Sequence, residues 1–138
     1  MPPSNGTNSA TPSPMDSTGM LTLATCMFDM RFAPKDVDVA VRLLLSRRGS
    51  ILAKGHCRGC NIWVDAADAD LVRYCEEWDS QEAFQHHLRS EEFRRVLIAL
   101  DMCIEEPRVV VGNLSAGIGM GYLRLLLEKE AECALDGD

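Results

Sequence analysis

Residues 57–82 read CRGCNIWVDAADADLVRYCEEWDSQE, and their patterning decides the fold. Residues 57–65 and 69–78 are two runs with alternating apolar positions, as half-buried strands require. Between them, residues 65–70 (DAADAD) are short and polar, which suits a hairpin turn. Residues 79–82 (DSQE) then carry the spacing of a capping box, so a helix is expected directly after Trp78.

Upstream, residues 21–32 (LTLATCMFDMRF) lack helix caps and place apolar side chains on both alternate faces, the pattern of a strand covered on two sides. Pro34 fits a helix first turn, with Asp36 and Asp38 near its positive dipole end. Val37, Val41 and Leu44, flanked by Ala40 and Leu45, form one helical stripe. Arg47 and Arg48 follow, and Gly49 is the expected stop. Downstream, Ser90 is positioned to cap a further helix with Phe93, Val96, Leu97, Leu100 and Ile104 as its buried stripe. Pro107 ends that helix, and residues 108–114 (RVVVGNL) are a fourth strand.

The resulting order is β-α-β-β-α-β. It is the split βαβ arrangement of an α+β, ferredoxin-like domain. Helices cover one sheet face only, yet the first and last strands are apolar on both. A second subunit's sheet would cover the other face, so a homodimer is expected.

The domain is expected over residues 20–127. Residues 1–19 consist mainly of Pro, Ser, Thr, Asn and Gly, a composition that predicts disorder. Residues 128–138 form an acidic C-terminal tail, and the leucine-rich stretch from Tyr122 should be a helix or a partner-crossing arm. Of the net charge of −7, this tail contributes −4 (five acids against one Lys), the first 19 residues −1, and residues 20–127 only −2. No basic stripe exists to follow phosphates, which argues against a nucleic-acid partner. The absence of an apolar run of about 18 residues argues against a membrane span. No export signal is legible at the N-terminus, so the six Cys read as reduced thiols and the expected location is cytoplasmic.

Cys57 and Cys60 form a lone CxxC, preceded by His56. A tetrahedral zinc site needs four ligands, and no second pair follows. The motif opens a strand, whereas a thioredoxin-type pair opens a helix. Buried, inert thiols are therefore expected, with no metal and no cofactor. Glu76, Glu77 and Asp79 cluster by sequence, but Glu76 and Glu77 point to opposite strand faces and make a poor acid–base pair.

His87 is the candidate catalytic residue. A helical wheel from Ser80 places it inward with Ala83, Phe84 and Leu88, and turns His86 toward the edge. An inward imidazole serves as a base or as a bonded core group. Trp78 and Tyr74 share a strand face and are candidates for lining an aromatic pocket. Asn61 and Trp63 share the face of β-strand 57–65 opposite Cys60, Ile62 and Val64, and line either that pocket or the dimer seam. Arg94 reads as a solvated surface charge.

Residues 60–121 resemble the antibiotic biosynthesis monooxygenase (ABM) family. The resemblance rests on Gly59-Cys60, then Glu76-Glu77-Trp78-Asp79-Ser80, His87-Leu88-Arg89-Ser90, Phe93-Arg94 and the EEPRVVV run from Glu105, together with the spacing of Trp78, Ser90 and Pro107. It implies a dimeric α/β barrel with one pocket per subunit between sheet and helices. It also implies oxidation of a phenolic, quinol or polycyclic aromatic small molecule by O2 without metal, flavin or haem. A haem-degrading branch shares the fold. Its first-strand Asn and helical axial His are missing here, since residues 21–32 contain no Asn and residues 93–97 no His. The alternative function is a non-catalytic small-molecule-binding or dimerisation module of the same fold.

Overall fold

The computed structural model describes residues 21–116 and 119–136. The expected disordered segment 1–19 lies outside them. Two compact units are distinguished, Leu23–Leu114 and one that holds the described helix Gly119–Asp136.

The first unit contains the sheet. Its strands are β1 (Leu21–Arg31), β2 (Cys57–Val64), β3 (Leu71–Trp78) and β4 (Arg108–Ala116), the ends of β1 and β4 passing beyond it. The order across the sheet is β2-β3-β1-β4, and β3 runs antiparallel to both its neighbours. β1 and β2 are consequently parallel with β3 inserted between them, which is the split βαβ topology. The expected α+β ferredoxin-like arrangement is the one the chain adopts.

The helices are α1 (Val37–Leu45), α2 (Arg48–Leu52), α3 (Gln81–His87) and α4 (Glu91–Asp101). Strand alternation delivers Ala24, Cys26, Phe28 and Met30 from β1 and Val72, Tyr74, Glu76 and Trp78 from β3 to the inner face. All are buried, and the apolar ones share one core with Ala40, Leu44, Phe84, Phe93, Val96 and Ala99. The opposite face carries Met27, Asp29, Trp63, Arg73 and Cys75 around a cavity of about 410 Å³. β4 is exposed along its described length, with Val109, Val110 and Val111 all outside the core.

Several local expectations shift. Gly49 does not stop a helix; it lies inside α2, and the left-handed position is Gly55, at φ +89°. Leu45, Leu88, Leu97 and Ile104 are exposed instead of lying on buried stripes, and Ala99 takes the inward place on α4. α4 ends at Asp101, one turn before Ile104, so that side chain leaves the helical phase. The cap of α3 is Ser80, whose Oγ accepts from Ala83 N at 3.1 Å. Asp79, the first residue of the expected capping box, is held by His56 Nδ1 at 3.1 Å and Arg58 at 3.5 Å. Ser90 caps α4 as expected, accepting from Phe93 N at 3.2 Å.

In the second unit, α5 (Gly119–Asp136) is a helix with exposed Tyr122, Leu123, Leu125, Leu126 and Leu127. It runs continuously through the 127/128 boundary read from composition. No described helix is long and apolar enough to cross a membrane.

Candidate functional site

Glu76 is the centre of the inner layer. The register places it opposite Cys26 on β1 and Cys60 on β2, and none of its surface reaches solvent. A carboxylate there must be satisfied by donors. Its strand supplies two of them at alternate positions. Trp78 Nε1 donates to Oε1 at 2.9 Å, and the Tyr74 hydroxyl donates to Oε2. α3 supplies the third, with His87 Nε2 lying 3.0 Å from Oε2.

Tyr74 also accepts from Cys60 Sγ at 3.4 Å. Burial, reinforced by the Glu76 charge, pushes its phenol far above the ordinary tyrosine range, so it remains a donor. The indole of Trp78 and the imidazole of His87 stack with centroids 4.6 Å apart, and Phe93 meets the imidazole edge-on at 5.5 Å.

The other imidazole nitrogen has two neighbours. His87 Nδ1 is 3.2 Å from Ser90 Oγ and 3.3 Å from Lys54 Nζ. A lysine ammonium has donors only, so the network assigns the lone pair to Nδ1 and the proton to Nε2. Lys54 is also paired with Glu92 at 2.9 Å, and both side chains are partly exposed. The buried carboxylate is thereby connected to solvent through His87 and Lys54.

The residues singled out from sequence divide between the two sheet faces. His87, Trp78 and Tyr74 converge on Glu76 inside. Trp63 and Asn61 project from the other face, where Trp63 is half exposed and lines the 410 Å³ cavity. His86 is exposed, and Arg94 pairs with Glu91 on the surface. Two members of the inner constellation were not singled out. Sequence weighs Glu76 only with Glu77, as a poor acid–base pair, although the Tyr74-x-Glu76-x-Trp78 alternation is the available signal. Lys54 lies in a turn with no motif around it.

Five of the thiols are held protonated. Burial pushes Cys57 and Cys26 up to about 12, and raises Cys60, Cys75 and Cys103 as well. Cys57 donates to Gly59 O at 3.2 Å beside a bulge in β2. Among the described residues, no group of three or more His, Cys, Asp or Glu side chains is arranged to hold a metal ion.

The family model for antibiotic biosynthesis monooxygenases matches residues 24–97. That stretch runs from β1 into α4 and contains the whole Glu76 network. None of the curated proteins compared matches the chain in sequence. Among solved structures, the chain is similar to an antibiotic biosynthesis monooxygenase at TM-score 0.58 and 20% identity, over 64% of this chain and 95% of the other. It is similar to PA3566 from Pseudomonas aeruginosa at TM-score 0.60 and 20% identity, over 69% and 96%. It is also similar to SO0527 from Shewanella oneidensis at TM-score 0.62 and 12% identity, over 70% and 94%. The chain belongs to the antibiotic biosynthesis monooxygenase family.

Proposed function

We propose that this protein is a cofactor-independent monooxygenase that oxidises an electron-rich phenolic or quinol substrate with O2. Family membership supports the reaction class. The observation that carries the mechanism is the buried His87–Glu76 pair, whose Nε2–H bond leaves the basic lone pair at Nδ1. His87 takes the substrate proton there, and the Glu76 carboxylate stabilises the imidazolium that forms. The substrate anion supplies electrons to O2, and the resulting peroxide collapses to a quinone with loss of water. Trp78 and Tyr74 fix the imidazole plane and the carboxylate, which keeps the base oriented.

In this reading the working form is a homodimer. A second copy covers the outer sheet face with its half-exposed Trp63 and the exposed valines of β4. Trp63 and Asn61 then belong to the seam between subunits.

The full hydrogen-bond complement of His87 favours the second reading, a binding or dimerisation module of the same fold. Oxygen consumption by metal-stripped protein against a panel of hydroquinones and anthrones separates the two. Uptake matched by quinone formation is expected, and a panel without enzyme-dependent uptake would sink the monooxygenase reading.

A further inference from the structure

We infer that Lys54 is a catalytic residue, the cation that receives the phenolate oxygen of the substrate while His87 takes its proton. The inference deepens the proposed function and rests on its assignment of a phenol to the His87 site. Three observations lead to it. Lys54 Nζ lies 3.3 Å from His87 Nδ1, the one imidazole atom left to act as a base. Of the groups bonded to His87, Glu76 is fully buried and Ser90 Oγ is committed to capping α4, whereas Lys54 stands partly in solvent. Glu92 also holds the ammonium at 2.9 Å, which keeps it beside the imidazole when a ligand takes its place at Nδ1.

A phenol oxygen that displaces the Lys54 ammonium from Nδ1 meets the base at that atom and the cation beside it. Its O–H bond breaks and an N–H bond forms at Nδ1. The electron pair stays on oxygen as phenolate, and the Lys54 ammonium pairs with it. The imidazolium is balanced by Glu76 through Nε2–H. A cation at the atom where negative charge develops lowers such a barrier. It selects phenols and enols over neutral aromatics without an ionisable oxygen. Lys54 follows α2 and precedes Gly55, so the ammonium is carried by a turn, outside any regular element.

The test uses 4-nitrophenol, which ionises visibly and is not a quinol. Wild-type protein should bind it as the yellow phenolate at a pH where the free probe is mostly neutral. Lys54→Met, checked for native circular dichroism, should weaken nitrophenolate binding by about 10- to 100-fold, the size of a lost charged hydrogen bond. Lys54→Arg keeps the charge and should retain much of the yellow signal. Equal phenolate binding in wild type and Lys54→Met would overturn the assignment, and so would a wild-type protein that binds no nitrophenol. Bound nitrophenolate that depends on Lys54, with no oxygen uptake on any quinol, would support Lys54 and defeat only the monooxygenase reading.

Discussion

His87 Nε2 and Glu76 Oε2 are 3.0 Å apart, and neither side chain has any solvent exposure. A helix and a strand are joined by this bond within the inner layer. Its two ends differ in consequence. Glu76 also holds Tyr74 and Trp78, whereas His87 is the outlet toward Lys54 and Ser90.

His87→Gln should lower turnover by about 10²–10⁴-fold on whichever quinol the panel identifies, the usual contribution of a general base. His86→Gln should be nearly silent, because that side chain is exposed one position away. Turnover and thermal melting of both variants check this. Unchanged turnover in a folded His87→Gln protein would remove His87 from the chemistry.

Glu76→Leu should destabilise the fold by about 3 kcal/mol or more. It leaves the Tyr74, Trp78 and His87 donors buried without an acceptor. Urea unfolding measures it, and a loss under about 1 kcal/mol would show that the network relaxes around an apolar side chain.

Ser80→Ala should cost about 1 kcal/mol through loss of the α3 cap. The comparison variant Asp79→Ser leaves that cap in place and cuts the tie to His56. Hydrogen exchange should rise across α3 in the first variant and less so in the second. The reverse order would restore Asp79 as the cap.

Acid should weaken the fold through its paired carboxylates. Bonding to Arg73 holds Asp29 below its ordinary 3.8, and bonding to Lys54 holds Glu92 below its ordinary 4.5. A carboxyl whose folded pKa is depressed stabilises the native state above the unfolded value. That contribution is lost as the pH falls from the unfolded value through the folded one. Melting temperature should therefore decline below about pH 4.5, and Asp29→Asn should flatten that decline. An unaltered acid limb in the variant would assign it to other groups.

Sedimentation equilibrium at micromolar concentration should give twice the 15.3 kDa chain mass. Trp63→Glu should shift the population toward monomer by placing a charge on the outer sheet face. A wild-type monomer would leave the apolar face without its proposed cover.

Much of this organisation was legible in residues 57–82, where strand, turn, strand and helix follow in one pass. The hairpin is closed by Asp65 N to Leu71 O at 3.0 Å, where the polar run predicts it. Alternation also placed Tyr74 with Trp78, and the wheel placed His87 inward. What alternation could not supply was the meaning of Glu76, since a carboxylate in an apolar run is satisfied only by partners that the fold brings in. Lys54 reaches His87 across 33 positions of sequence, a distance no local pattern encodes. The α3 cap fails differently. Asp79 and Ser80 are both good capping types, and the choice depends on His56 and Arg58 taking the Asp79 carboxylate.

The alternation that brings Glu76 inward also makes β3 check its own pairing. Sliding the strand by one residue would exchange its two faces and send Glu76 out with Tyr74 and Trp78. Arg73, Cys75 and Glu77 would then face the apolar layer with no indole or phenol beside the carboxylate. A two-residue slip keeps the faces, and an all-apolar inner face would tolerate that slip far better, because one apolar side chain replaces another at modest loss. With His87 on α3 as its partner from outside the strand, the Glu76 carboxylate therefore marks a single register of β3 in the native sheet.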